Sequence, residues 1–213
     1  MHVAKRHRRA PRTEFGVYHS ALATPGSAPP RLGRPAGVRA ACDNARVSHT
    51  EHRAASPLSV RCAVLTISDT RTLETDGGGT AIVAMLEEHG HAVVVRGLVK
   101  DDPSAVQKWI QQQRSRDDVD VLLTTGGTGV ARRDHTYEAI TTMLDKPIPG
   151  FGELFRMLSF QEIGAAAMLS RACAGISQCR VVIALPGSQN AVRLAMDKLV
   201  LPELGHLVRE ARL

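Results

Sequence analysis

The chain has 213 residues, with 27 Lys and Arg against 21 Asp and Glu and a formal charge of +6. Its 43% apolar content suffices for one well-buried domain and a tail, while no apolar run reaches the roughly 20 residues that span a bilayer. The N-terminus lacks a hydrophobic signal core, and four cysteines without CxxC spacing fit a reducing, cytoplasmic setting.

The charge is unevenly divided. Residues 1–58 hold ten basic residues against three acidic ones, and residues 59–213 hold 17 against 18. The first segment is rich in Pro, Ala, Gly and Ser, above all from Ala23 to Gly37, and has no sustained periodicity. That composition predicts a disordered extension followed by one folded domain over 59–213. The extension has scarcely any aromatics among its cations and reads as passive. The folded part, close to neutral, gives no electrostatic reason to expect nucleic-acid binding.

Cys62–Ile67 is a predicted strand ending in Ser68-Asp69-Thr70, followed by a loop with Asp76-Gly77-Gly78-Gly79. Ile82, Met85, Leu86 and His89 then share one helical face, with Gly90 as the stop. Ala92–Val99 is a second strand, ending in Lys100-Asp101-Asp102-Pro103, and Val106, Trp109, Ile110 and Gln113 mark the next helix. Val121–Leu123, an apolar run of the buried parallel kind, breaks into Gly126-Gly127-Thr128-Gly129, and Arg132, Arg133 and Asp134 follow.

A short helix is expected near Thr136, capped by Thr136 or Asp134. Pro147–Gly152 reads as a turn, Phe151, Leu154, Phe155 and Leu158 as a helical face, and 161–179 gives no clear pattern. Arg180–Leu185 is a fourth strand that breaks at Pro186-Gly187-Ser188. Val192, Ala195, Met196 and Leu199 mark a helix, and Pro202 opens a last one.

This alternation predicts an α/β fold, a three-layer α/β/α sandwich on a mainly parallel sheet. The polar and glycine-rich segments each follow a strand, and open α/β sheets bind ligands outside the carboxyl ends of their strands. Bare-backbone glycines next to cations and a carboxylate suit a phosphorylated ligand and a metal, although an ordinary βα turn with solvated charges has the same residues. A Walker loop is absent, and the dinucleotide fingerprint fails because Arg132 stands where its third glycine is required. No Ser/His/Asp set, GxSxG or zinc spacing is visible.

Thr124-Thr-Gly-Gly-Thr-Gly129 followed by Asp134-His-Thr-Tyr-Glu-Ala139 resembles the signature of the MoaB/Mog family of molybdenum-cofactor biosynthesis proteins. Gly150-Phe-Gly-Glu-Leu-Phe-Arg-Met-Leu-Ser159, Leu169-Ser-Arg171 and Leu185-Pro-Gly-Ser188 are similar to that family in the same order, closest to its MoaB branch. The resemblance covers about Val60–Leu207. It implies that the terminal phosphate of molybdopterin attacks the α-phosphorus of Mg-ATP, giving adenylyl-molybdopterin and pyrophosphate.

By matching motifs, the resemblance makes Asp134 and Asp101 the catalytic, Mg²⁺-binding carboxylates. Around nucleotide and pterin it sets Ser68, Asp69, Asp76, Thr125, Gly126, Gly127, Thr128, Gly129, Thr136, Glu153, Ser159, Ser170, Pro186, Gly187 and Ser188. Arg156 or Arg171 would pair with a phosphate. The bland readings are helix caps for Asp134, Thr136, Asp102 and Ser188, and a surface pair for Glu153 and Arg156. Where the family commonly has Asp-x-Ser-Gly, this chain reads Asp76-Gly77-Gly78-Gly79, so a hydroxyl is missing.

The resemblance also implies a homo-oligomer, a trimer or a hexamer, and a downstream molybdenum-insertion enzyme as partner. Two alternatives stay open beside catalysis. One is a MoaB-type protein that binds pterin or a partner without turnover; the other is a nucleotide-binding α/β oxidoreductase, against which the failed fingerprint argues.

Overall fold

The computed structural model describes residues 56–132 and 134–213. The predicted extension lies outside the described residues but for its last three, as does Arg133.

Six strands form one sheet in the order β2-β1-β3-β6-β5-β4. They are β1 (Arg61–Ile67), β2 (Ala92–Val99), β3 (Val121–Thr125), β4 (Lys146–Pro147), β5 (Cys173–Ser177) and β6 (Arg180–Leu185). β1 pairs in parallel with β2 and β3, and β3 with β6; β5 runs antiparallel to β6 and to β4. β1, β3 and β6 are buried almost throughout, as expected of apolar runs covered on both faces.

Helices cover both faces. Val64, Leu123 and Ile183 pack against α1 (Gly77–Glu88), α4 (Pro149–Ile163), α5 (Gln189–Ala195) and α6 (Leu201–Arg212). Leu65, Leu122 and Val182 meet α2 (Pro103–Arg114) and α3 (Thr136–Thr141) through Val106, Ile110 and Ile140 on the other face. This is the predicted three-layer sandwich. Each fully buried Leu or Ile of these layers contributes about 1.5–3 kcal/mol, with area-based figures being upper bounds. Among the described residues no helix is long and apolar enough to cross a membrane.

The structure corrects four local expectations. Asp76–Gly79 is not a loop: Asp76 caps α1, accepting from the Gly79 N–H at 2.9 Å, and the glycines form the first turn. Neither Asp134 nor Thr136 caps α3, whose cap position is His135 without a side-chain bond. The turn expected over Pro147–Gly152 is β4 followed by the start of α4, with Pro149 in the first turn, where its missing N–H costs nothing.

Lastly, the unpatterned stretch 161–179 contains the end of α4, a 3-10 turn (Gly164–Leu169) and β5. β5 and β6 join through Gln178 and Cys179, both at positive φ (48° and 61°), a primed hairpin turn built without its usual Asn or Gly. A π-turn (Met196–Val200) joins α5 to α6. Pro202 lacks the N–H that a regular helix would donate to the Lys198 carbonyl, which accounts for the wider turn there.

Candidate functional site

The chain leaves β1 for β2 on one side and returns to β3 on the other, so the sheet changes direction between β1 and β3. Such a switch point opens a crevice at the strand ends. Ser68 and Asp69 lie at the β1 exit, Asp101 beyond β2, Gly126–Gly129 beyond β3, and Pro186–Ser188 beyond β6.

The glycine turn is shaped by contacts that no side chain could share. Gly126 has φ +97°, and a Cβ there would lie 2.1 Å from the Ile67 carbonyl oxygen. A Cβ on Gly129 would lie 2.2 Å from Asp134 Oδ2, so the Asp134 carboxylate rests directly against the loop. That carboxylate also accepts from the Ala131 N–H at 2.9 Å, closing the turn. Gly127 lies against Thr136, whose hydroxyl donates to Asp101 Oδ1 at 2.6 Å. The Asp101 N–H in turn donates to Asp69 Oδ1 at 3.1 Å. Asp69, Asp101, Thr136, the glycine turn and Asp134 therefore form one connected rim.

Beside the rim is a hollow of about 380 Å³ lined by Ser159, Ser170, Pro186 and Ser188, with Gln189 and Asn190. Ser159 is contributed by α4, Ser170 by the end of the 3-10 turn, and Ser188 caps α5 by accepting from the Ala191 N–H at 3.3 Å. Thr125 donates to the Pro186 carbonyl at 2.9 Å, tying the β3 and β6 exits together.

Other expected site residues have different surroundings. Asp76 is buried: Thr66 donates to it at 2.6 Å and Arg96 at 3.3 Å, besides its cap bond. Burial alone would raise its pKa, but these bonds outweigh it and hold the carboxyl below its ordinary value. Asp76 thus fastens α1 to β1 and β2. Arg171 donates to the Thr128 carbonyl at 3.0 Å, reaches the Gly129 carbonyl and Glu138, and lies 4.4 Å over the Tyr137 ring. Its hydrogen bond holds Glu138 below the usual carboxylate range. This guanidinium braces the glycine loop. Glu153 and Arg156 line a second hollow of about 290 Å³ with Tyr137 and Cys173. Ser68 accepts from the N–H groups of Thr70 and Arg71, forming a local turn.

Sequence reasoning passed over Arg71, which donates from Nη1 to the Gly187 carbonyl at 3.0 Å across the crevice. Its only signal was its place just beyond β1. Thr66 and Arg96 were missed because the partner they share, Asp76, is 10 and 20 residues away along the chain, at a helix start.

The carboxylate oxygens of the rim are hard donors of the kind magnesium takes. Among the described residues no three His, Cys, Asp or Glu side chains could hold a metal by themselves. A divalent cation at the rim would therefore need oxygen donors from a bound ligand to complete its shell. Cys62 and Cys173 supply no nucleophile, since burial pushes their thiols up to about 12 and about 11.

Residues 63–206 match the family model described as "Probable molybdopterin binding domain". Molybdenum cofactor biosynthesis protein B of Halalkalibacterium halodurans is 52% identical over 165 residues, 77% of this chain and 97% of that protein. A crystal structure of a molybdenum cofactor biosynthesis protein B superposes with a TM-score of 0.71 at 53% identity, covering 73% of this chain and 98% of that one. The tungsten cofactor synthesizing protein MoaB from Pyrococcus furiosus gives 0.66 at 37% identity, covering 74% and 100%. With its sheet, its glycine turn and nearly the full length of these relatives in common, the chain belongs to the MoaB/Mog family of molybdopterin-binding domains.

Proposed function

We propose that this protein acts in molybdenum cofactor biosynthesis by adenylylating molybdopterin with Mg-ATP, releasing pyrophosphate. The observation that carries the reading is the connected rim, in which Asp101 and Asp134 flank the bare backbone of Gly126–Gly129 at the sheet's switch point. The terminal phosphate of the pterin attacks the α-phosphorus of ATP, the bond to pyrophosphate breaks, and no protein nucleophile is needed.

The protein's task is to bring two anions together. At 4 Å unit like charges repel by about 4 kcal/mol at an effective dielectric of 20. Bound magnesium supplies charge neutralisation, and Asp101 and Asp134 would hold it. Thr136 fixes the orientation of the Asp101 carboxylate, and Arg171 fixes the glycine loop, whose remaining N–H groups would serve the phosphates while that of Gly126 is spent on the Leu185 carbonyl. Ser159, Ser170 and Ser188 give the neighbouring hollow hydroxyls for polar ligand edges.

One observation favours a second reading, a pterin-binding protein without turnover. A Cβ on Gly78 would lie 3.4 Å from Thr125 Oγ1 and 3.5 Å from the Gly187 carbonyl, so the missing hydroxyl is missing from the crevice itself. Incubation with Mg-ATP and molybdopterin separates the two. AMP-pterin and pyrophosphate formed by the wild type, and abolished in Asp134→Asn with pterin binding kept, support catalysis. A wild type that binds pterin and forms neither product is the binding protein.

The protein is also proposed to self-associate. Leu154, Met157, Phe160, Ile163, Met168 and Leu169 stand 48–78% exposed along α4 and the 3-10 turn, an apolar face that a second copy of the chain would cover.

A further inference from the structure

The rim collects negative charge. Asp69, Asp101 and Asp134 all lie there, and a phosphorylated ligand must enter against them. Two nearby cations are already engaged: Arg171 with Glu138 and two loop carbonyls, Arg96 with Asp76 and Thr80. Lys100 and Arg132 are exposed. Arg71 differs from all of them. It is partly buried, and among the described residues it has no carboxylate partner.

Its one side-chain bond goes to the Gly187 carbonyl at 3.0 Å. That bond covers an oxygen that would otherwise repel a phosphate at the β6 exit. A guanidinium has five N–H donors, so most of its fork stays available. Buried Gly78 packs beside it: a Cβ there would lie 3.7 Å from Arg71 Nη1 and 3.4 Å from Thr125 Oγ1, in ordinary contact with both. The neighbouring Thr125 hydroxyl already donates to Pro186, which leaves the Arg71 guanidinium with donors to spare.

The geometry points to Arg71 as the residue that binds a phosphate group of the ligand at the crevice, between the β1 and β6 exits. The inference rests on the reading of the crevice as the site for phosphorylated ligands, and it adds the cation that recognises them. A planar fork suits two phosphate oxygens at once, which a lysine cannot match. The phosphate belongs either to the nucleotide or to the pterin.

Titration calorimetry on the full chain tests this, using Mg-ATP, inorganic pyrophosphate and molybdopterin as separate probes. Wild type, Arg71→Gln and Arg71→Lys are compared, with melting temperature as the check on folding. Loss of a charged, two-pronged contact is expected to weaken binding about ten- to a hundredfold in Arg71→Gln. Arg71→Lys keeps the charge and loses the fork, so it should fall between. A loss confined to Mg-ATP and pyrophosphate assigns the nucleotide's phosphates, and a loss confined to molybdopterin assigns the pterin's.

Should Arg71→Gln not fold, Arg71→Lys carries the test, with a loss of about three- to tenfold expected. Folded variants that bind all three probes as tightly as wild type overturn the inference, as does a wild type that binds none of them. If the wild type forms no AMP-pterin but its phosphate binding still depends on Arg71, adenylylation fails and the inference stands.

Discussion

At the scale of single residues, the rim depends on small atoms in forced positions. The Thr136 side chain is buried, and its hydroxyl has one task, the bond to Asp101 Oδ1. Thr136→Val keeps the shape and removes that bond, so it should cost about 1 kcal/mol of stability by chemical denaturation. The expected adenylylation rate falls about tenfold, because a freed carboxylate no longer holds one orientation. Gly129→Ala forces a Cβ into the space of Asp134 Oδ2 and should resemble Asp134→Asn in the product assay, with far-UV circular dichroism unchanged. Asp101 and Asp134 were singled out by motif match, and the structure places both on the rim, the first just beyond β2 and the second against the glycine turn. Asp76 was misread as a rim group because the residues that bury it, Thr66 and Arg96, come from strand interiors.

At the scale of elements, the β5–β6 hairpin was the least legible part of the fold. Cys173-Ala-Gly-Ile-Ser177 has neither alternation nor β-branched density, and Gln178-Cys179 is not a turn signature. The strand forms because β6 offers it an edge and the Asp145 carboxylate accepts from the Gln178 N–H at 2.7 Å. Both turn residues hold positive φ, a conformation costly without glycine or asparagine. Replacing them by Asn-Gly should therefore raise stability by about 1 kcal/mol, read as about 2–4 °C in thermal unfolding.

At the scale of the whole molecule, Asp120 binds the sheet to the last helix. Its carboxylate accepts from the Arg61 guanidinium at 2.9 and 3.1 Å, from the Arg61 N–H at 3.0 Å, and from Arg212 at 2.7 Å. Burial works against its ionisation, but these donors outweigh it and hold the pKa down at about 2. A carboxyl depressed from about 3.9 when unfolded stabilises the fold above that value, and the contribution is lost as pH falls through about 2. Both arginines are partly solvated, so its size is about 1–2 kcal/mol. Between pH 5 and pH 2, wild type should lose more denaturation free energy than Asp120→Asn by that amount. Phe160, 61% exposed on the apolar face of α4, gives a test of association: Phe160→Glu should shift the mass found by sedimentation toward the monomer.

The sequence by itself determined the order of the main strands and helices, because apolar runs, alternating faces and glycine breaks are local signals that burial must satisfy. It also put the polar breaks after strands, where topology collects them into one crevice. Only the tertiary structure decided which carboxylates face that crevice and which are consumed inside the fold. Asp76 and Asp101 each follow a strand region along the chain, yet one is enclosed by Thr66, Arg96 and a helix start while the other stands on the rim. Arg71 and Arg171 differ in the same way, the second held by two loop carbonyls and Glu138, the first by the single carbonyl of Gly187 across the crevice. Partners contributed from elsewhere in the chain set the surroundings of a charge, and those partners meet only when the sheet closes.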